Sequence, residues 1–250
     1  MRALGQLRRN FIAMRNMLRI YPSFWEPGFW RSFGLARQAQ RRGAMQKLRE
    51  LAPLIGLLRA RSPRVVVEIG TARGGTFYAW CQVAAPDALI VSIDLAEGAF
   101  GGGYTPADIS AFRRYGRPEQ QLHFMQDDSH AAETRARLEE ILRGEEIDFL
   151  MIDGDHTYEG VRRDFEMYAP LVGDGNPIAF HDIVPHPKDS LCEVERFWNE
   201  IRSNYRHTEF IDSPPDPSGQ YGGIGVLYWD KHLAGLPRRA AKADGPEVVK

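Results

Sequence analysis

Short apolar runs alternate with segments of helical periodicity along most of this 250-residue chain. Val65-Val66-Val67-Glu68-Ile69 is rich in β-branched residues and predicts a strand, followed by a glycine-rich turn from Gly70 to Gly75. Ala88 to Ile93, Leu122 to Gln126, Asp148 to Ile152 and Pro177 to Phe180 repeat the pattern. Runs with so little polar face are strands buried on both sides, as in a parallel sheet. Between them, apolar residues recur at helical spacing. Gly43 to Leu58 carries Leu48, Leu51, Leu54, Ile55 and Leu58 on one stripe, and the helix predicted over 158–169 aligns Val161, Phe165 and Tyr168. Thr76 to Ala84, residues 131–143, and a segment holding Val194, Phe197, Trp198 and Ile201 read the same way. Residues 207–212 and 222–229 predict two last strands, with Pro214 to Gly219 as loop between them. Seven strands with helices between the first six make an α/β fold: a doubly wound sheet with helices on both faces, preceded by an N-terminal helical extension.

In such sheets ligands bind beyond the carboxyl ends of the strands. Glu68, Asp94, Asp128, Asp153, His181 and Asp182 all fall at those ends. An acid at the tip of the second strand, here Asp94, can hydrogen-bond both hydroxyls of a ribose. A pyrophosphate loop needs G-x-G-x-x-G at the start of the helix. This chain instead has Ala72 two positions after Gly70, then Gly74 and Gly75, and its Glu68 would repel a phosphate but attract a cation. S-adenosylmethionine suits that environment, since it carries an ammonium and a sulfonium and no phosphate. Glu68 and the loop residues Gly70, Thr71, Gly74, Gly75 and Thr76 are expected to hold its methionine portion. Asp94 is expected at the ribose, and, by the family resemblance set out below, Asp128-Ser129 at the adenine edge.

Composition narrows the class further. An apolar fraction of 43% over this length supports one full core. Two cysteines, Cys81 and Cys192, build no disulfide framework, so a reducing, cytoplasmic setting is expected. No apolar run reaches the length of a span, and Arg8, Arg9, Arg15 and Arg19 interrupt the first twenty residues. Neither stable membrane insertion nor a secretory leader is expected. The first fifty residues hold eleven Lys/Arg against two Asp/Glu, a net charge of about +9, leaving about −10 for the remainder. Phe11, Tyr21, Phe24, Trp25, Phe29, Trp30 and Phe33 share that basic segment. Residues 1–43 read as a helical cap that packs its aromatics on the acidic remainder or on a second copy in a homodimer. A membrane-surface helix or an aromatic lid over an acceptor is the competing reading; a nucleic-acid partner is not expected. Gly101-Gly102-Gly103 reads as an irregular surface loop or a flap near the cofactor, and residues 231–250 as a frayed tail.

Two strings carry the chemistry: Ile152-Asp153-Gly154-Asp155-His156 and Phe180-His181-Asp182-Ile183. Charged groups directly after apolar strands are costly unless solvated, paired or bound to a metal. Two carboxylates on neighbouring strand ends repel, and a hard divalent cation removes that repulsion, so Asp153 and Asp182 are candidate ligands. His181 adds an imidazole, which also admits manganese, iron or zinc. Consecutive strand residues point to opposite faces, so His181 and Asp182 share a cation only if the strand ends there. The plainer alternative makes the histidine a hydrogen-bonded core residue and has the aspartates cap helices, Asp155 with Thr157 among them.

Ala44-Met45-Gln46, Val67-Glu68-Ile69-Gly70-Thr71, Asp128-Ser129-His130, Ile152 to Gly160, Phe180-His181-Asp182 and Glu195-Arg196-Phe197-Trp198 occur in this order. With them, residues 45 to 229 resemble the class I S-adenosylmethionine-dependent methyltransferases. More narrowly they are similar to the metal-dependent O-methyltransferases and the cephalosporin-hydroxylase-like group. The resemblance implies a Rossmann-like methyltransferase domain over residues 44–230, acting on a hydroxyl of a small molecule such as a natural product, phenol or sugar. It implies a divalent metal, magnesium first and manganese second, on Asp153, His181 and Asp182. His181 departs from the family's carboxylate or amide at its position. His156 stands where catechol-type members carry a catalytic lysine, which implies that it takes the acceptor proton while Asp153 serves the metal.

Two other classes stay open on the residues alone. One is a metalloenzyme of oxygenase type using His156, His181 and Asp182, although adjacent His-Asp spacing suits a facial triad poorly. The other is a catalytically silent S-adenosylmethionine-fold module acting through its basic N-terminus.

Overall fold

A computed structural model of the protein describes residues 27–98, 100, 103–187, 190–212 and 222–233. Seven strands form one sheet in the order β3-β2-β1-β4-β5-β7-β6. They are β1 (Val65–Ile69), β2 (Leu89–Ile93), β3 (Gln121–Met125), β4 (Phe149–Ile152), β5 (Pro177–His181), β6 (His207–Phe210) and β7 (Ile224–Tyr228). The first five are parallel, and β7 runs antiparallel between β5 and β6. The strand order reverses between β1 and β4, so the helices that follow those two strands pack on opposite faces and a crevice opens beyond the strand ends.

The helices are α1 (Pro27–Gln40), α2 (Leu48–Arg61), α3 (Gly75–Val83), α4 (Pro106–Phe112), α5 (Ala132–Leu142), α6 (Tyr158–Tyr168) and α7 (Val194–Ile201). Strand parity decides which face each strand residue serves. Val65, Val67 and Ile69 join Leu138, Phe165, Phe197 and Trp198 of α5, α6 and α7 in one buried cluster. Val66 joins Leu51, Leu54, Leu58, Phe77 and Trp80 of α2 and α3 in the other. Truncating one of these buried aromatics to alanine costs about 3–5 kcal/mol. Glu68 has the parity of Val66, so its carboxylate enters the second cluster rather than the crevice.

Several boundaries differ from the sequence reading. The lead helix begins at Leu48 rather than Gly43, because Gly43 turns with a φ of +100° and Ala44 to Lys47 are non-helical, Lys47 being extended. The strand expected over 207–212 ends at Phe210, and the last strand begins at Ile224. A helix not anticipated, α4, follows the glycine stretch; Thr105 caps it in a reciprocal pair with Asp108. Gly101, Gly102, the Pro214–Gly219 loop, residues 1–26 and residues 234–250 lie outside the described residues. Of the basic segment's aromatics, Phe29, Trp30 and Phe33 are described; they pack on one another, and Trp30 is 53% exposed. Among the described residues no helix is long and apolar enough to cross a membrane.

Candidate active site

The glycine turn is shaped by contact with its neighbour strand. Gly70 has a φ of +86°, and a Cβ there would lie 2.0 Å from the Asp153 carbonyl oxygen. Only glycine lets the loops after β1 and β4 lie this close. Gly75 serves a different approach: a Cβ would meet the Ala44 nitrogen at 2.1 Å. Ala72 N–H donates to Asp94 Oδ2 at 2.5 Å, which ties the tip of β2 to the loop. Burial pushes the Asp94 carboxyl up, while backbone donors from Ala72, Thr71 and Leu95 pull it back.

One cavity opens over these strand ends. Of the expected cofactor residues, Gly70, Thr71, Gly75, Thr76, Asp94, Asp128 and Ser129 line it; Glu68 and Gly74 do not. The direct contact expected of Glu68 is corrected by its burial. The side chain is 0% exposed, accepting from Trp80 Nε1 at 2.6 Å and Thr71 Oγ1 at 2.8 Å beneath the loop. That burial pushes its carboxyl up to about 7, against which Thr76, Thr71 and Trp80 act as donors. Thr71 continues to Ser92 and Tyr104, so Glu68 ends a buried chain of hydroxyls. Gly74 is instead the left-handed cap of α3.

Asp153, His156 and His181 line the far side of the same cavity. β5 ends at His181, and Asp182 turns into a left-handed conformation with a φ of +63°. The strand thus stops where it must for both side chains to converge on Asp153. His181 Nδ1 lies 3.1 Å from Asp153 Oδ1 and 3.4 Å from Asp182 Oδ2. His156 Nδ1 lies 2.9 Å from Asp182 Oδ2, and its Nε2 lies 3.7 Å from Asp153 Oδ1. Asp182 is 6% exposed, set behind the lining residues, and Gly222 N–H donates to its Oδ1 at 2.7 Å. Ligand atoms of Asp153, His181 and Asp182 all lie within 4.8 Å of one another. His181 Nε2 is buried without a hydrogen-bond partner.

Burial opposes charge on both histidines, but the carboxylates outweigh it. His156 is lifted to about 10 by its hydrogen bond to Asp182, with Cys192 and Asp153 adding to the effect. His181 is raised well above its ordinary value by Asp153 and Asp182. Asp182, despite its own burial, is held far below the usual carboxylate range by His181, His156 and His186. In this arrangement the cluster is a set of ion pairs.

The capping alternative also holds for two residues. Asp155 Oδ1 accepts from Thr157 N–H at 2.8 Å, and the Thr157 hydroxyl caps α6 by accepting from Gly160 N–H at 3.0 Å.

Sequence reasoning missed several neighbours. Gln46 stood in a quoted string without a role, yet its Nε2 donates to Asp153 Oδ2 at 2.6 Å. Phe100 stacks on the His156 ring, with centroids 4.9 Å apart and planes 19° apart. His130 follows Asp128-Ser129 into the cavity, with Nε2 at 3.3 Å from the buried Asp164. His186 and Cys192 both approach Asp182 or His156 from the loop after β5. Nothing local in the sequence marked these residues, since each acts through a contact made in space.

Residues 67–183 match the family model described as a methyltransferase domain. Over those residues, just under half of the chain, the sequence is similar to methyltransferase domains. A cofactor-bound structure of Rv0187 from MTB is 18% identical with a TM-score of 0.54, covering 82% of this chain and 91% of that one. The O-methyltransferase from Bacillus cereus in complex with SAH is 16% identical with a TM-score of 0.52, covering 81% and 91%. At these identities the likeness is one of fold. An uncharacterized protein, y4gI, of Sinorhizobium fredii is 25% identical over 181 residues, 71% of this chain. The aligned region spans only 18% of that relative's length. The match to the methyltransferase domain ends at Ile183, just past His181 and Asp182, so it takes in both halves of the cavity wall from β1 to β5.

Proposed function

We propose that this protein transfers a methyl group from S-adenosylmethionine to a hydroxyl oxygen of a small molecule, with a divalent cation held at Asp153, His181 and Asp182. One observation carries the reading: a single cavity is lined by the Gly70–Thr71 loop and Asp94 on one side and by Asp153, His156 and His181 on the other. A nucleoside cofactor seated on the first set lies beside the second. An O-methyltransferase of the same fold that binds SAH supports the cofactor.

The donor set suits a cation. Two carboxylates and an imidazole converge within 4.8 Å, and His181 keeps one buried nitrogen without a partner. When bound, a divalent ion supplies positive charge that stabilises a developing oxyanion. Magnesium follows from the family resemblance, and manganese accepts an imidazole more readily. A phenol, sugar or other natural-product hydroxyl fits the acceptor side.

The chain's own residues do the remaining work. Asp94 orients the ribose, and Gln46 holds Asp153 in place. Phe100 covers one face of His156 and limits its contact with water. His156 keeps its proton at neutral pH while Asp153 and Asp182 are uncompensated. A cation bound to the two carboxylates would share their charge and leave the imidazole neutral, so that Nε2, the nitrogen not bonded to Asp182, could accept a proton. In the transfer, the acceptor oxygen bonds to the methyl carbon, and the carbon–sulfur bond breaks with its electron pair left on sulfur. The hydroxyl proton passes to His156. Positioning supplies most of the acceleration.

Calorimetric titration with S-adenosylmethionine and S-adenosylhomocysteine, with magnesium and with chelator, tests the reading. Micromolar binding that weakens about tenfold or more in Asp94→Ala is expected, the loss of hydrogen bonds to a charged group. A metal heat that vanishes in Asp153→Ala is expected alongside it. Failure of either cofactor to bind overturns the proposal.

A further inference from the structure

Asp182 stands where two donor sets meet. Asp153, His181 and Asp182 form one, and His156, Asp182 and Cys192 form the other, each with ligand atoms within 4.8 Å of one another. The second set contains a thiol, which magnesium does not seek and zinc does. Backbone bonds hold that thiol in place: Glu193 N–H donates to the His156 carbonyl at 2.8 Å, and Cys192 N–H to Ser190 Oγ at 3.1 Å.

His186 adds an independent sign. Its Nδ1 lies 3.0 Å from the Val184 carbonyl, which can only accept, so Nδ1 carries a proton. Its Nε2 lies 3.5 Å from Asp182 Oδ1, which places a fourth ligand-type side chain at the edge of this set. A backbone carbonyl on the other ring nitrogen is the usual support of a metal-binding histidine.

We infer that His156, Asp182 and Cys192, with His186 beside them, form a site for a thiophilic divalent cation, zinc by preference. The oxygen it uses is shared. Asp182 Oδ2 lies 2.9 Å from His156 Nδ1 and 3.4 Å from His181 Nδ1, while Oδ1 accepts from Gly222 N–H. Zinc here and a cation on the Asp153 set therefore compete for one oxygen, and zinc also takes His156 Nδ1. Where the methyl-transfer reading holds, zinc inhibits; the site itself stands without that reading.

Cobalt(II) titration of the full chain under a non-thiol reductant tests this spectroscopically. Cys81, the other of the two cysteines, is fully buried in the core, so a thiolate-to-cobalt band reports Cys192. The expected result is a near-ultraviolet charge-transfer band with tetrahedral visible absorption, displaced by zinc and not by excess magnesium. Cys192→Ser should abolish the band and weaken zinc binding about 100-fold, whereas Asp153→Asn should keep it. Thermal melts of each variant check that the fold is retained. No band in the natural protein, or a band that survives Cys192→Ser, overturns the inference. A full band without S-adenosylhomocysteine binding upholds it and overturns the methyl-transfer reading alone.

Discussion

Gln46 Nε2 donates to Asp153 Oδ2 at 2.6 Å across 107 positions of sequence. The non-helical segment between α1 and α2 thereby closes over the strand ends and holds Asp153, the more exposed of the cluster's two carboxylates. The other amide atom, Gln46 Oε1, is buried without a partner, so the residue carries a desolvation cost for this one bond. Gln46→Leu removes the anchor and that cost together. Divalent-cation affinity should fall about 10- to 100-fold, as for other outer contacts of metal ligands, with little change in thermal midpoint. Manganese titration followed by electron paramagnetic resonance measures it; an unaltered affinity would remove Gln46 from the site.

Gly70 and Gly144 share a φ of +86° but not their surroundings. A Cβ at Gly144 meets nothing within 4 Å, whereas at Gly70 it meets the Asp153 backbone at 2.0 Å. Gly144→Ala should cost only the left-handed strain, about 1–2 kcal/mol. Gly70→Ala should cost more, because the loop after β4 must move, and it should abolish S-adenosylhomocysteine binding. Urea denaturation of both variants decides it, and equal destabilisation would contradict the close approach.

The fold was legible because its signals are local. β-branched runs such as Val65–Ile69 and the spaced Val194, Phe197, Trp198 and Ile201 announce their elements without tertiary information. The strand-end acids Asp94, Asp153 and Asp182 were legible for the same reason. Side-chain direction was harder to read. Glu68 precedes a ligand loop by sequence, yet strand parity turns it into the core against Trp80. Whether His181 and Asp182 could converge rested on one backbone angle, at Asp182, that no pattern encodes. Gln46, His186 and Cys192 reach the site through loops, where neither period 2 nor period 3.6 applies.

His130 lines the cavity beside Asp128 and Ser129, with Nε2 within 3.3 Å of the fully buried Asp164. The contact with Asp164 raises its pKa, against the effect of partial burial. Its contribution to stability is present below the ordinary histidine value and is lost as pH rises through the raised one. Proton NMR should find His130 titrating above its ordinary value of 6.5, and Asp164→Asn should bring it down. A titration unmoved by Asp164→Asn would mean that the carboxylate does not govern the ring.

Glu68 gives the sharpest pH signature in the core. Its carboxyl is raised from 4.5 to about 7, chiefly by burial. The folded chain therefore binds that proton more tightly than the unfolded chain does. Stability from this group is fully present below about 4.5 and is lost as pH rises through about 7, a total on the order of 3 kcal/mol. Glu68→Gln removes the ionisation while keeping the partners. The amide oxygen accepts from Trp80 Nε1, the amide nitrogen donates to Thr71 Oγ1, and the Thr71 hydroxyl turns to Ser92 Oγ, 2.7 Å away. The difference in unfolding free energy between variant and natural protein should therefore grow across that window, leaving the variant the more stable at pH 8. Urea midpoints measured from pH 4 to pH 8 read this directly. Curves that stay parallel would show that the buried carboxylate ionises without cost, and the chain Glu68-Thr71-Ser92-Tyr104 would then have to carry its charge.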